Sequence, residues 1–286
     1  MKKALRICIG LLLAMILAST FYLFTYVPPL SENHGVIESK LYLGESDHQP
    51  LIVAFGGGEG GMDWARGYLK PTRDSLNQLG YAVLAVGYFN GENTPKNLDR
   101  ISLDAIRDSI LAIAQHPKID DSRILLIGGS RGGELVLNLA SRYLDFAGVI
   151  AMSTSNVSFP AITWFANTSS WTYQGEELPY VPAPFKTIIP AIKGDLFTAH
   201  SMMLEDTEAM QLAEIEVEKI NGPVLLLSGK EDDQWPATLM SDRICERLKF
   251  HEFQHFYEHI ALDGGHTAPR DHFYLVYEFL TQQFKS

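Results

Sequence analysis

Short unbroken apolar runs recur along the chain, at residues 51–55, 81–87, 124–127, 148–152 and 223–228. Each is too short for a helix and lacks polar alternation, the pattern of strands buried on both faces. The stretches between several of them have the spacing of helices. Residues 98–115 place Ile106, Ile110 and Ile113 on one face, and residues 64–79 restart at Pro71 and stop at Gly80. Residues 236–248 and 273–284 predict two more helices, with an alternating strand at 255–262 between them. A further strand at 35–44 leads through the polar turn 45–50 into the first buried run. Strand and helix in alternation predict an α/β fold, a mostly parallel sheet with helices on both faces.

Two stretches break this rhythm. Residues 1–27 carry Lys2, Lys3 and Arg6 and then run apolar to Val27. Their length predicts an N-terminal transmembrane helix, a membrane anchor or signal segment ahead of the catalytic domain at 28–286. The basic flank would leave everything after Pro28 on the extracytoplasmic (periplasmic) side, tethered there or secreted if the segment is cleaved. Residues 153–212 show no period, hold Trp164 and Trp171, and are proline-rich from 179 to 190. They read as a cap insertion enclosing a small-molecule site.

Charge narrows the function classes. The chain carries a net charge of −11, and its first 27 residues hold only basic charges, so the remainder is more acidic still. Such a surface disfavours nucleic acid as a partner. Cys8 and Cys245 fall on either side of the boundary at residue 27, which leaves no disulfide within the predicted domain.

The candidate chemistry starts where the 124–127 strand ends in Gly128-Gly129-Ser130-Arg131-Gly132. This spacing fits the G-x-S-x-G elbow, a tight strand-to-helix turn that lifts a serine above the sheet edge. The backbone N–H of Arg131, at the start of the next helix, is a candidate oxyanion donor. A second donor would come from Gly57 or Gly58, in the glycine loop that follows the 51–55 strand. That loop lacks the Lys-Ser/Thr of a phosphate cradle. A serine hydroxyl needs a histidine to take its proton and an acid to hold the imidazolium. Ser130, Asp232 and His266 follow the chain order of α/β-hydrolases, each just past a predicted strand end. Of the adjacent carboxylates, Asp232 is taken as the acid and Asp233 as a solvated or capping residue, since neighbours on an extended turn point to opposite sides.

His251 to His255 also match the zinc signature H-E-x-x-H, with His259 four residues on. The match straddles a predicted helix end and strand start, and its aromatic residues give no consistent buried face. Extended geometry would hold the histidines too far apart for one ion, so no metal and no cofactor are expected. His34, His48, His116, His200 and His272 are read as solvated or satisfied locally.

From about residue 51 to 274 the chain resembles the C-terminal catalytic domain of the acyl-CoA thioester hydrolase and bile acid-CoA:amino acid N-acyltransferase family. The resemblance rests on the Phe55-Gly56 loop, residues 84–90 with Pro95-Lys96, and the elbow through Glu134. It continues through residues 222–229, Asp232 three before Trp235, and Gly265-His266. It implies an α/β-hydrolase fold and a serine hydrolase acting on an acyl thioester or ester, with Ser130, Asp232 and His266 as the triad. Two other readings fit the same residues: acyl transfer to an amine, and a catalytically silent binding protein on this fold. The family's eukaryotic enzymes begin with an immunoglobulin-like domain, where this chain has its apolar segment. Residues 267–272 also depart from the family's proline-and-tyrosine pattern.

Overall fold

The computed structural model describes residues 2–164 and 166–284. Helix α1 (Lys2–Thr25) comes first, then strands β1 (Glu38–Tyr42) and β2 (Gln49–Phe55). The expected helix at 64–79 is shorter. Two 3-10 turns precede α2 (Lys70–Gln78), which begins with Pro71 in its first turn, where a missing N–H costs nothing. Strand β3 (Ala82–Gly87) leads to the two-residue β4 (Ile101–Ser102) and to α3 (Leu103–Ala114). That helix starts later than its apolar pattern suggests. Arg100 and Ile101 instead donate backbone N–H groups to the carbonyls of Ser169 and Ser170, and the Ser102 hydroxyl caps the helix by accepting from Ala105 N–H.

Strand β5 (Ile119–Gly129), helix α4 (Arg131–Ala140) and strand β6 (Phe146–Met152) follow. The chain then leaves the sheet for β7 (Trp171–Tyr173), β8 (Glu176–Glu177) and three short helices, α5 (Ile188–Ile192), α6 (Leu196–Met203) and α7 (Thr207–Ala213). It returns through β9 (Val224–Gly229), α8 (Ala237–Phe250), β10 (Tyr257–Leu262), α9 (Ala268–Asp271) and α10 (Tyr274–Phe284).

The main sheet has seven strands in the order β1-β3-β2-β5-β6-β9-β10, with β1 antiparallel to β3 and every other pairing parallel. Successive residues on each central strand point to opposite faces. Leu51, Val53 and Phe55 of β2 join Ile106, Ile110 and Leu248 in one core, while Ile52 and Ala54 join Leu76, Val276 and Leu280 in the other. Both faces are thus covered, which is why these strands read as continuous apolar runs. The chain goes from β2 outward to β3 and then crosses back to lay β5 on the other side of β2. A sheet of this kind opens a crevice at the carboxyl ends of the two strands where the winding reverses. Here those ends carry the glycine loop and Ser130.

The expected transmembrane helix is not upheld: among the described residues no helix is long and apolar enough to cross a membrane. Helix α1 forms, but Lys2, Lys3 and Arg6 sit in its first turns, and Ser19, Thr20, Tyr22 and Thr25 dilute its end. The hydroxyls of Thr20 and Thr25 donate to the carbonyls of Ile16 and Phe21, 2.8 Å each. The unbroken apolar stretch between, residues 7–18, makes about 18 Å of helix. The hydrocarbon of a bilayer is roughly 30 Å thick. The single-pass anchor expected to tether the domain on the extracytoplasmic side is therefore not upheld, and with it goes the membrane as a partner.

Candidate active site

Two glycines let the elbow close. A Cβ at Gly128 would collide with the carbonyl of Gly132, and one at Gly132 with the carbonyl of Gly56. Between them Ser130 stands at φ 56°, ψ −124°, a left-handed conformation that costs a non-glycine residue about 1–3 kcal/mol. The turn is held by Ser130 N–H donating to Met152 O (2.8 Å) and by Gly133 and Glu134 N–H donating to Ser130 O. The Ser130 hydroxyl caps no backbone group of α4, so it is left for the cavity it faces. Gly57 lies directly against it: a Cβ there would start 3.1 Å from Ser130 Cβ and 3.7 Å from Ser130 Oγ. Gly58 packs beside the stem of Arg131. The switch point therefore brings Gly57, Gly58 and the N-terminus of α4 around one hydroxyl.

Asp232 and His266 arrive from the other side of the sheet, past the ends of β9 and β10. Asp232 Oδ2 accepts from His266 Nδ1 at 2.7 Å. Its other oxygen accepts from the backbone N–H groups of Gln234 (2.8 Å) and Trp235 (3.3 Å), which fixes the carboxylate in place. The Asp232 side chain is 2% exposed and that of His266 18%. Asp233 is exposed at the cavity's margin, and among the described residues it accepts from the Gln234 side chain (2.9 Å) and makes no hydrogen bond to His266. Ser153 Oγ donates to the carbonyl of His266 (2.7 Å), and the Trp235 indole donates to the carbonyl of Ser153 (3.0 Å). The first ties down the His266 backbone, and the second fixes the residue that does so. Ser130 and His266 line one cavity of about 1060 Å³, yet among the described residues no hydrogen bond joins the serine hydroxyl to the imidazole.

The roof of that cavity comes from the insertion after β6, through Phe159, Ile162, Ala183, Leu196, Ala199 and Met203. What ties roof to elbow is the Arg131 side chain, where only the backbone N–H of that residue was expected to matter. Its guanidinium donates to Glu134 Oε2 (2.6 Å), to the carbonyls of Phe159 (3.2 Å) and Pro160 (2.9 Å), and to Ser170 Oγ. Glu134 is fully buried and also accepts from the Trp171 indole (2.6 Å) and Phe159 N–H (3.1 Å). Burial pushes the Glu134 carboxyl above the usual carboxylate range, and Arg131 with these two donors pulls it back. The one sequence signal for this clamp was an acid in the first turn of an otherwise apolar helix.

A second serine–histidine–aspartate set lies between β9, β10 and α8. Ser228 Oγ and His259 Nε2 are 2.8 Å apart, and His259 Nδ1 is 2.8 Å from Asp242 Oδ1. Ser228 is fully buried within β9, bonds Thr238 as well (2.8 Å), and lines no part of the cavity. The H-E-x-x-H match does not fall on a helix: α8 ends at Phe250, Glu252 sits at φ 52°, and β10 begins at Tyr257. Among the described residues no cluster of three metal-ligating side chains occurs.

Residues 101–269 match the model of the family described as BAAT / Acyl-CoA thioester hydrolase C terminal. The chain is 29% identical over 222 residues to human acyl-coenzyme A thioesterase 1, covering 76% of this chain and 48% of that protein. It is equally identical over 222 residues to human mitochondrial acyl-coenzyme A thioesterase 2, covering 76% and 42%. The chain thus spans about half the length of the curated relatives it matches. Among solved structures, Pyrococcus horikoshii acylaminoacyl peptidase superposes with a TM-score of 0.61 at 17% identity, over 87% of this chain and 40% of that one. The structure titled as the DcsB complex with its substrate analogue gives 0.59 at 14% identity, over 87% and 95%. These two likenesses speak for the fold, an α/β-hydrolase sheet. The family match covers more than half of the sequence, and the chain belongs to the BAAT / acyl-CoA thioester hydrolase C-terminal family.

Proposed function

We propose that the chain is a serine hydrolase cleaving an acyl thioester or ester through an acyl-enzyme. The observation that carries this is the Asp232–His266 pair, 2.7 Å apart, on the cavity that also holds Ser130 at its strained elbow. With Asp232 accepting from Nδ1–H, the imidazole keeps Nε2 as its free base. On substrate binding the Ser130 hydroxyl closes on Nε2, a bond that commonly tightens only in the Michaelis complex. Oγ then attacks the acyl carbonyl while His266 takes its proton. The oxyanion is held by the N–H of Arg131 and of Gly57 or Gly58, at the positive end of α4. Collapse expels the thiol or alcohol, which takes the proton from His266. Water, deprotonated by the same imidazole, releases the acid and frees Ser130.

The relatives' names support a thioester as substrate. A fluorophosphonate probe tests the mechanism. It should add one phosphonyl mass to the peptide holding Ser130, and p-nitrophenyl acyl esters should show a burst equal to the enzyme concentration. A protein that binds acyl ligands but takes no label at Ser130 would be a silent binding protein.

A further inference from the structure

His200 stands in helix α6 of the insertion and lines the cavity. Its ring packs edge-on against Phe159 and Trp235, with centroids 4.9 and 5.5 Å away. Nδ1 lies 2.9 Å from two carbonyl oxygens, those of Leu196 in its own helix and Gln234 from the loop that carries Asp232. A carbonyl only accepts, so Nδ1 must carry the proton. That fixes the tautomer and leaves Nε2 as a lone-pair acceptor. Burial lowers the pKa of this imidazole from its usual value and Arg131 adds to the effect, while the hydrogen bonds to Leu196 and Gln234 and the charge of Asp232 oppose it, and the net direction favours the neutral ring. Nε2 has no protein partner among the described residues and is not among the sealed polar atoms. The cavity is what it meets. Of the cavity residues near it, Phe159, Leu196, Ala199 and Met203 carry no donor side chain, and the Trp235 indole donates to Ser153 O, the Gln234 amide to Asp233 Oδ1 and the terminal N–H groups of Arg131 to Glu134 and the insertion.

A neutral acceptor fixed by two carbonyls in an apolar wall is a recognition element for a hydrogen-bond donor. We propose that Nε2 of His200 accepts a hydrogen bond from the part of the substrate lying under the insertion. The preferred acyl compound then carries a hydroxyl or an amide N–H there, rather than being a plain hydrocarbon chain. This rests on the hydrolase reading of the cavity and specifies its substrate class. Trp235 connects the element to the chemistry: its ring touches His200 on one side and His266 (6.1 Å between centroids) on the other.

The test uses chain-matched acyl thioesters in three series: unsubstituted, hydroxylated at successive positions, and bearing an internal amide. Methyl ethers of the hydroxylated compounds serve as acceptor-only controls. Wild-type protein should favour at least one hydroxyl or amide position by about tenfold in kcat/KM over the unsubstituted chain. The methyl ether should lose that gain, and the series in which it occurs identifies the donor. In His200→Phe the ratio should fall to about one. The idea is overturned if no donor-bearing substrate is favoured by wild-type protein, if the methyl ether does as well, or if the preference survives in a folded His200→Phe. Should no thioester be turned over, the hydrolase reading fails by itself. Calorimetric affinities of wild-type protein for the corresponding free acids then still read the same ratio.

Discussion

Ser228, His259 and Asp242 make both contacts of a catalytic triad, each at 2.8 Å, whereas Ser130, His266 and Asp232 make only one. By hydrogen bonding alone the first set is the better triad. Everything else runs the other way. Ser228 is sealed within a strand, one residue before its end, with its hydroxyl shared with Thr238, and its aspartate is 59% exposed. Ser130 sits where a strand has ended, at a positive φ, with Gly57 packed against its side chain and the carboxylate of Asp232 nearly sealed. Carboxylate, imidazole and hydroxyl occur together in both places. Only one of them opens onto a cavity, which Ser130 and His266 line and Ser228 does not.

The largest expected effect separates the two serines. Ser130→Ala should lower turnover by about 10⁵-fold and abolish fluorophosphonate labelling, while losing little stability. Labelling that persists in Ser130→Ala and disappears in Ser228→Ala would reverse the comparison.

The two aspartates come next. Asp232→Asn keeps the shape of the carboxylate but favours the wrong imidazole tautomer, a loss of about 10⁴-fold in kcat in serine proteases. A drop of about 10³–10⁴-fold is expected here, with the melting temperature nearly unchanged. Asp242→Asn should leave kcat within about threefold, and Asp233→Asn, at a residue that makes no hydrogen bond to His266 among the described residues, within about tenfold. Steady-state kinetics on the three variants decide the order. A larger loss in Asp233→Asn than in Asp232→Asn would sink the assignment.

Much of the first set was legible in the sequence and almost none of the second. Ser130 announces itself because glycines at 128 and 132 are forced by backbone contacts, and such contacts leave their mark in sequence. His266 follows a strand and a glycine pair, and Asp232 a buried run, so their places on one sheet edge follow from topology. His259 instead stood out as part of a metal signature. Its true partners lie on β9 and α8, brought together by packing that no spacing encodes. The insertion was legible only as a loss of rhythm, because its short helices are held by tertiary contacts rather than by an amphipathic period. For the same reason His200 looked like a locally satisfied residue: one of its two carbonyl partners is 34 residues away. The first helix failed in the opposite sense, since hydropathy found the helix and overstated its span.

The third effect is on stability and concerns what holds the insertion over the elbow. Glu134→Ala leaves the buried guanidinium of Arg131 without its carboxylate, and removing one partner of a buried pair costs about 3–5 kcal/mol. Arg131→Met with Glu134→Leu removes both charges and should recover most of that in urea unfolding. The double variant should still lose turnover, because the carbonyls of Phe159 and Pro160 no longer tie the roof to the N-terminus of α4. Full activity in a stable double variant would show that the clamp serves folding alone.

The smallest effect is the one that completes the comparison. Ser228 Oγ is shared between Thr238 and His259, and the Thr238 hydroxyl also donates to Gly229 O at 3.2 Å. Ser228→Ala therefore leaves His259 Nε2 without a partner, while Thr238 keeps one. A typical hydrogen bond contributes about 1 kcal/mol net, and an imidazole nitrogen left unpaired adds its own desolvation cost. Ser228→Ala should thus lose about 1–2 kcal/mol in equilibrium unfolding. Ser228→Thr crowds a fully buried site and should cost a similar amount for a different reason, overpacking. Neither change reaches the cavity, so kcat/KM at a temperature well below melting should stay within about twofold of wild type. A Ser228→Ala variant of normal stability whose turnover falls tenfold would mean that the buried set acts on the chemistry through β9 and Asp232. The two constellations would then have to be read as one network.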